Sequence, residues 1–271
     1  MTANTGRYTI ALSLFIVASC SRFNNQALSQ ENTVAARQVF LLIGQSNMAG
    51  RAQFAAQDTA VINQVWILND QLQWESAKNP LNRYSSVRKS LSMQKLGPGY
   101  TFATTLIESN PELEIGLVVN ARGGTSIRSW LPDSLLYRES VTRTKIALTT
   151  GGSLNAVIWH QGGSDRNNYW GYYSQLETII AALRNDFANP KLPFIVGQIG
   201  DFRSNGDSLN TILMRIPQQI AYTECVSDSG LTHLGDETHF NRISQLELGR
   251  RYALAADRMI YHQPANLDTR Y

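Results

Sequence analysis

An alternation of short apolar runs with longer segments of helical period is the feature that most constrains the fold of this 271-residue chain. The runs are continuous in valine, isoleucine and leucine, which is typical of strands that are covered on both faces. This alternation predicts a three-layer α/β/α sandwich around a mainly parallel five-stranded sheet. The predicted strands are 39–44, 65–69, 115–120, 155–161 and 193–200, and the predicted helices are 99–109, 134–149, 172–187, 209–223 and 243–261.

Composition and charge narrow the possible partners. With 43% hydrophobic residues the chain can form one sizeable core. The formal net charge is only +3 and no block of like charges occurs, so the basic surface expected of a nucleic-acid-binding protein is missing. We therefore expect a small-molecule partner and no nucleic acid. Residues 75–98 show little period, which indicates either a working loop near a site or a surface excursion.

The N-terminal segment has the layout of an export signal. Arg7 precedes an apolar run over 10–18 that is too short for a stable membrane-spanning helix. The following letters, VASC, resemble the lipobox of bacterial lipoproteins, in which the chain is cut before the cysteine and the cysteine carries the lipid. This predicts a signal peptide over 1–19, a lipid on Cys20, a polar tether over 20–36, and a lipoprotein anchored to a bacterial membrane at the periplasmic side or the cell surface. An ordinary secretory peptide or a retained anchor is the alternative.

A serine follows the first predicted strand, within the letters IGQSNMAG. Ligands of open parallel sheets bind beyond the carboxyl ends of the strands. At a strand-to-helix turn the hydroxyl of Ser46 is exposed above the sheet, and its backbone N–H lies at a helix N-terminus. Taken alone, Ser46 is equally well explained as a helix N-cap.

A possible base for this serine lies near the other end of the chain. Asp236 and His239 are separated by two residues just before the last predicted helix. One short loop can therefore hold the imidazole and direct a carboxylate to its Nδ1 atom. A serine nucleophile needs such a base, and the base needs an orienting carboxylate.

Two other strand ends could supply donors for an oxyanion. The letters NARGGTS follow the third strand and contain Gly123, and the letters WHQGGSD at the end of the fourth contain the side-chain amide of Gln161. Preorganised donors of this kind stabilise a developing negative charge. Plain turn formation is the alternative explanation for both glycine pairs.

The segments IGQSNMAGR, NARGGTSIRSW, IWHQGGSD and DETHFN, in this order and at strand ends, together resemble one branch of the SGNH hydrolases. This branch contains sialate O-acetylesterases and carbohydrate esterase family 6, which includes acetylxylan esterases. The resemblance covers about residues 38–260. It implies a flavodoxin-like esterase domain over 37–271, no metal and no other cofactor, and a serine esterase that removes acetyl groups from sugars.

The resemblance also assigns roles by position. It implies Ser46 as nucleophile, His239 as base and Asp236 as its carboxylate. The implied oxyanion donors are the backbone amides of Ser46 and Gly123 and the side chain of Gln161. Apart from these implied roles, Gln45 and Asn47 are expected to frame the turn by hydrogen bonds. The candidate substrate contacts are Gln45, Asn47, Arg122, Trp130 and Asn241.

The chain departs from the family pattern at Gly163, where the family usually has a glutamate. The missing carboxylate could change how the loop or Arg122 is held, or which sugar is accepted, but it leaves the three catalytic candidates intact. Arg122 itself stands where the family commonly has a small or apolar residue. It either brings a positive charge to the pocket or pairs with a structural acid.

The resulting hypothesis is hydrolysis of O-acetyl esters on a carbohydrate of the acetylxylan or sialic-acid type, through an acyl-enzyme intermediate. Two alternatives remain open at this point. One is an esterase for a different small acyl ester, because a fold alone does not determine function. The other is a non-catalytic carbohydrate-binding lipoprotein on the same scaffold.

Overall fold

The computed structural model describes residues 1–3, 36–202 and 207–262, and the folded unit belongs to the segment Ala35–Tyr271. Its sheet has seven strands in the order β3-β2-β4-β1-β5-β6-β7. All neighbouring pairs are parallel except β3 with β2. The strands are β1 (Gln38–Gly44), β2 (Val65–Leu68), β3 (Trp74–Ser76), β4 (Ile115–Val119), β5 (Ser153–His160), β6 (Phe194–Gly197) and β7 (Thr223–Val226).

Helices cover both faces of the sheet, as the sequence predicts. They are α1 (Ser46–Ala49), α2 (Gly99–Ser109), α3 (Leu135–Thr149), α4 (Tyr172–Asp186), α5 (Asp207–Gln219) and α6 (Arg242–Ile260). Apolar side chains of α3, α4 and α5 share one core cluster, and those of α2 and α6 share the other. Along β1, Leu41 and Ile43 belong to the first cluster and Phe40 and Leu42 to the second, because side chains of a strand alternate between its faces.

The predicted α/β/α class is confirmed, but the predicted number of five strands is wrong. The sheet has two further strands, β3 and β7, one at each edge. β3 has the letters WES and β7 the letters TECV, so neither contains a continuous apolar run. The predicted helix 209–223 extended into β7, whereas α5 ends at Gln219. Edge strands are short and half-covered, and this removes the pattern on which the prediction depended.

β1 lies in the middle of the sheet and pairs with both β4 and β5. Its last residue, Gly44, is in register with His160 at the end of β5. The carboxyl ends of β1, β4 and β5 therefore meet at one edge of the sheet, which is where parallel α/β folds bind ligands.

Several predictions concern residues outside the described part of the chain. The lipid site Cys20, and nearly all of the predicted signal peptide and tether, lie within residues 4–35, and residues 263–271 of the predicted domain are likewise not described. Among the described residues, no helix combines the length and apolar character needed to cross a membrane.

Candidate active site

The turn between β1 and α1 brings Ser46 to the carboxyl edge of the sheet. Gly44 has a φ of 137°, and a Cβ at this position would lie 2.2 Å from the carbonyl oxygen of His160, so only glycine fits here. The Gln45 N–H donates to that same oxygen at 2.9 Å. The chain therefore leaves the sheet in a single conformation, and α1 begins at Ser46.

The loop between β7 and α6 brings an imidazole and a carboxylate to this serine. The His239 Nε2 atom lies 2.9 Å from Ser46 Oγ, and His239 Nδ1 lies 2.6 Å from Asp236 Oδ2. The other carboxylate oxygen of Asp236 accepts the backbone N–H groups of Thr238 at 3.0 Å and His239 at 2.8 Å. The three predicted catalytic side chains thus form one continuous hydrogen-bonded chain.

The loop conformation depends on a histidine to which the sequence assigns no function. The Nδ1 atom of His233 accepts the backbone N–H groups of Gly235 at 3.0 Å and Glu237 at 3.2 Å. Glu237 has a φ of 52°, in the left-handed region, which costs free energy for a residue with a side chain. His233 and Asp236 together supply the acceptors that hold this turn.

Asn47 joins the serine turn to the same loop. Its Nδ2 atom donates to the Thr238 carbonyl oxygen at 3.2 Å, and its Oδ1 atom accepts the Phe240 N–H at 3.1 Å. Gln245 Nε2 donates to the same Oδ1 atom at 3.3 Å. Asn47 is buried, so the expectation that it contacts the substrate is not met. Its amide instead frames the turn, as predicted, and positions the His239 loop relative to Ser46.

The carboxylate of Asp236 is ionised at neutral pH. Burial acts to raise its pKa, but hydrogen bonds from the His239 backbone and ring and from the Thr238 N–H outweigh it, so the net pKa is lowered. A negative charge beside Nδ1 stabilises the imidazolium that forms when Nε2 takes up a proton.

A cavity of about 290 Å³ opens above Ser46. Residues from all the strand-end segments and from the 75–98 loop line it, namely Gln45, Ser46, Arg51, Lys89, Met93, Gly123, Gly124, Gly163, Ser164, Thr238 and His239. Of the two interpretations of the 75–98 segment, the structure favours the working loop.

Two backbone N–H groups near the Ser46 side chain have no acceptor within the described part of the chain. A Cβ on Gly123 would lie 3.3 Å from Ser46 Cβ, so the glycine approaches the serine closely. Within the described part of the chain, neither the Ser46 N–H nor the Gly123 N–H has a hydrogen-bond acceptor. Both amides are therefore available to a ligand atom beside Ser46 Oγ.

Gln161, the third expected oxyanion donor, is engaged elsewhere. Its side chain is fully buried, and its Nε2 atom donates to Asp165 Oδ2 at 2.6 Å and to the Thr125 carbonyl oxygen at 2.9 Å. A third acceptor, Gln45 Oε1, lies 3.3 Å away. An amide nitrogen has two hydrogens, and the three acceptors, all within the protein, share them, so none is left for a ligand in the cavity. Gln161 thus holds neighbouring loops together, and the geometry does not support the expectation that it is a donor to the cavity.

Three of the expected substrate contacts are corrected by the structure. Trp130 is 1% exposed and packs edge-on against Trp159 in the core, so it cannot contact a ligand. Asn241 caps α6 by accepting the Ser244 N–H. Arg122 donates to the Val87 carbonyl oxygen and is not part of the cavity wall. Each of these roles depends on contacts in the folded chain, which residue type alone does not indicate.

Two cationic side chains of the cavity were not predicted. Arg51 Nη1 donates to the carbonyl oxygens of Gly50 and Met93, while a Cβ on Gly123 would lie 2.5 Å from Arg51 Nη2. Burial lowers the pKa of Arg51, and no carboxylate among the described residues pairs with it. Lys89 Nζ lies 3.0 Å from a Cβ placed on Gly124. Arg51 is the last residue of the segment IGQSNMAGR, and this position close to Ser46 is the sequence signal that could have indicated its place at the cavity.

The described residues contain no group of three or more histidine, cysteine, aspartate or glutamate side chains that could hold a metal ion. The chemistry available at this edge is that of a hydroxyl, an imidazole and a carboxylate in series, beside open backbone donors. A parallel-sheet α/β sandwich with this arrangement defines the class of α/β serine hydrolases.

Comparison with known proteins identifies the family within this class. The family model described as carbohydrate esterase, sialic acid-specific acetylesterase matches residues 36–258. The chain therefore belongs to this family and is a carbohydrate acetylesterase, as the sequence segments predict.

Individual relatives agree with the family assignment. The probable carbohydrate esterase At4g34215 of Arabidopsis thaliana is 30% identical over 246 residues, which cover 83% of this chain and 92% of the relative. The X-ray structure of the Arabidopsis protein has a TM-score of 0.75 at 29% identity, over 82% of this chain and 98% of that one. A carbohydrate acetylesterase from Xanthomonas citri has a TM-score of 0.63 at 21% identity, over 83% of this chain and 57% of that one, and shares the fold.

Proposed function

We propose that this esterase hydrolyses O-acetyl esters on carbohydrates through an acyl-enzyme intermediate on Ser46. The observation that carries the proposal is the hydrogen-bonded chain from Ser46 Oγ through His239 to Asp236, with distances of 2.9 and 2.6 Å. Two backbone N–H groups without an acceptor, those of Ser46 and Gly123, lie beside the serine end of this chain, where an oxyanion needs donors.

In the first half-reaction, His239 Nε2 removes the proton of Ser46 Oγ while that oxygen attacks the acetyl carbonyl carbon. The carbonyl π pair moves onto oxygen, and the N–H groups of Ser46 and Gly123 donate to it. When the carbonyl re-forms, the bond to the sugar oxygen breaks. That oxygen takes the proton from His239, and the acetyl group stays on Ser46.

In the second half-reaction, water takes the place of the sugar. His239 accepts a proton from the water, whose oxygen attacks the acetyl carbon and again produces an oxyanion. The bond to Ser46 Oγ then breaks, and this oxygen recovers the proton from the imidazolium. Acetic acid leaves and ionises in solution, so that the enzyme returns to its starting state.

The walls of the cavity support a small acyl group. Gly123, Gly124 and Gly163 form part of its lining, and most of the other lining side chains are polar or charged. The Xanthomonas protein of the same fold is called a carbohydrate acetylesterase, and the Arabidopsis relative a probable carbohydrate esterase.

The cationic side of the cavity favours a sugar with a negative charge. Arg51 and Lys89 reach the cavity, and neither forms an ion pair with a described carboxylate. Between the two sugar types predicted from sequence, this supports the sialic-acid type, which carries a carboxylate, over neutral acetylxylan. Charge complementarity in such a site raises specificity and the rate of association.

Acetate release by the purified chain from matched acetylated sugars tests this function. We expect faster release from O-acetylated sialic acid than from acetylxylan, and almost none from the Ser46→Ala variant. Arg51→Gln should lower kcat/KM for the acidic sugar more than for p-nitrophenyl acetate. No acetate release from any of these substrates would favour the non-catalytic binding protein. Faster hydrolysis of p-nitrophenyl octanoate than of p-nitrophenyl acetate would favour an esterase for a different acyl group.

We also propose that the protein is exported and held at a bacterial membrane by a lipid on Cys20. The support is the sequence alone, namely Arg7, the apolar run and the letters VASC. Cells grown with labelled palmitate should yield a labelled protein that remains with the membranes, and Cys20→Ser should abolish the label. A labelled Cys20→Ser protein would refute the proposal.

A further inference from the structure

The side chain of Gln45 has a defined orientation beside Ser46. Its Oε1 atom accepts the backbone N–H groups of Gly162 and Ser164, both at 3.4 Å, and the Nε2 atom of Gln161 at 3.3 Å. Exchanging the oxygen and nitrogen of this amide would place an NH₂ group against these donors. The hydrogen bonds therefore determine which end of the amide is oxygen.

The other end of the amide faces the cavity without a partner. Gln45 is 5% exposed, and no acceptor among the described residues receives a hydrogen bond from its Nε2 atom. Gln45 and Gly163 both line the cavity above Ser46. This nitrogen is not among the fully buried polar atoms that lack a partner, so an acceptor atom of a ligand in the cavity can reach it.

Gly163 keeps the space in front of this nitrogen open. A Cβ at position 163 would lie 2.7 Å from Gln45 Nε2, and 3.7 Å from Gln45 Cδ. Real Cβ atoms do not approach this closely, so any side chain at this position would displace the amide or cover it. The φ of Gly163 is not in the left-handed region, so the backbone does not require glycine here. The glycine is needed for the space.

We propose that the side-chain amide of Gln45, and not that of Gln161, is the third donor to the oxyanion, and that Gly163 gives the oxyanion access to it. The inference rests on the proposed esterase reaction. When Ser46 Oγ attacks, the electron pair of the carbonyl moves to oxygen, which accepts hydrogen bonds from the Ser46 and Gly123 N–H groups and from Gln45 Nε2. Gln161 has a supporting role, because its Nε2 atom donates to Gln45 Oε1 and so helps to hold the Gln45 amide in place.

The test compares an oxygen ester with its sulfur counterpart. Oxyanion donors bind oxygen much better than sulfur, because sulfur is a weak hydrogen-bond acceptor. Gln45→Glu keeps an acceptor for the three N–H groups and removes the donor. We expect it to lower kcat for p-nitrophenyl acetate about 100-fold with little change in KM. Turnover of p-nitrophenyl thionoacetate should stay close to that of the unmodified enzyme.

Gly163→Ala is the second variant, because it leaves the chemistry of Gln45 unchanged and only displaces its amide. It should lower kcat for the acetate ester about tenfold or more, again with less effect on the thiono ester. Gln218→Glu, which adds the same charge on the exposed surface of α5, is the matched control and should leave both rates unchanged. Circular dichroism melting shows that each variant is folded.

The results separate this inference from the proposed function. If the unmodified chain shows no Ser46-dependent turnover of the acetate ester, the proposed function itself fails. If it is active but Gln45→Glu and Gly163→Ala retain the full preference for oxygen over sulfur, the role of Gln45 is refuted. A folded Gln161→Met variant that loses this preference while the Gln45 variant keeps it would return the role to Gln161.

Discussion

The two halves of the active site are built in opposite ways. Ser46 is 6% exposed and is the first residue of α1, two positions after the end of the central strand β1. The loop that carries His239 is open to solvent, and the Asp236 side chain is 39% exposed. Ser46 is therefore held by the fold, whereas His239 is held by hydrogen bonds within its own loop and by the contact of that loop with Asn47.

This difference explains where the site can tolerate change. A packed strand end has one conformation, since neighbouring side chains leave no alternative. An exposed loop has many accessible conformations, and each hydrogen bond that selects one of them contributes only about 1 kcal/mol net. Catalysis requires both halves at hydrogen-bonding distance, so the loop is the half whose geometry is lost first.

The largest expected effect comes from the buried half. Ser46→Ala removes the nucleophile, and we expect acetate release to fall by about 10⁴-fold or more, because residues of such a triad act as a unit. The measurement is acetate release under single-turnover conditions, with the melting temperature as a check on folding. Activity within a factor of ten of the unmodified chain would contradict the assignment of Ser46.

A slightly smaller effect is expected from the exposed half. Asp236→Asn keeps the size of the side chain but removes the charge beside His239 Nδ1, and the rate should fall by about 10³- to 10⁴-fold. Stability should change little, since the side chain is partly solvated. A loss of stability as large as that of a core variant would show that Asp236 acts through folding instead.

Asn47→Ala tests the connection between the halves. It leaves the Phe240 N–H and the Thr238 carbonyl oxygen without their partner, so we expect a loss of about 2 to 3 kcal/mol of stability and about 100-fold in kcat. Denaturant titration and steady-state kinetics measure the two quantities. Asn241→Ala, at the cap of α6, is the control and should cost about 1 kcal/mol with a much smaller change in kcat.

The smallest expected effect is a loss of folding stability at low pH, which arises from His160 in the buried half of the site. Burial lowers the pKa of His160 from 6.5 to about 4, and the carbonyl of this residue receives the Gln45 N–H. Between these pH values the unfolded chain binds a proton that folded His160 does not, so stability falls as the pH falls. We expect His160 to account for a loss of about 2 kcal/mol between pH 7 and pH 4.5.

Urea titrations at both pH values measure this loss. His160→Gln should show a pH-dependent change that is smaller by about the same 2 kcal/mol, because its amide does not titrate in this range. An identical pH dependence in both proteins would show that other groups cause the acid sensitivity of the buried half.

Much of the fold could be predicted because its signals are local. The five inner strands appear as continuous apolar runs, and a helix such as α4 shows its buried face at helical spacing. β3 and β7 gave no such signal, because an edge strand of three or four residues is only half covered. Their positions depend on contacts with strands distant in sequence.

The predictions for the site also divide into those with a local sequence signal and those that depend on contacts between distant residues. Ser46 and Gly123 could be proposed from residue type and position at strand ends, and Asp236 and His239 from their spacing just before the last helix. The substrate contacts could not, because the assignment of an amide or a guanidinium depends on its nearest acceptor. Asn47, Trp130 and Asn241 have partners in the fold itself, whereas Arg51, at the end of the segment IGQSNMAGR, and Lys89, in the 75–98 loop, reach the cavity although neither was predicted to do so.

The two glutamines show this boundary most clearly. The sequence predicts that an amide near Ser46 assists the proposed reaction, since polar side chains at neighbouring strand ends of a parallel sheet converge. It could not determine which glutamine has a free nitrogen. Asp165 and Thr125 take the hydrogens of Gln161, while Gly163 leaves those of Gln45 open. Hydrogen-bond partners are determined by distance in space, and only the folded chain sets that distance.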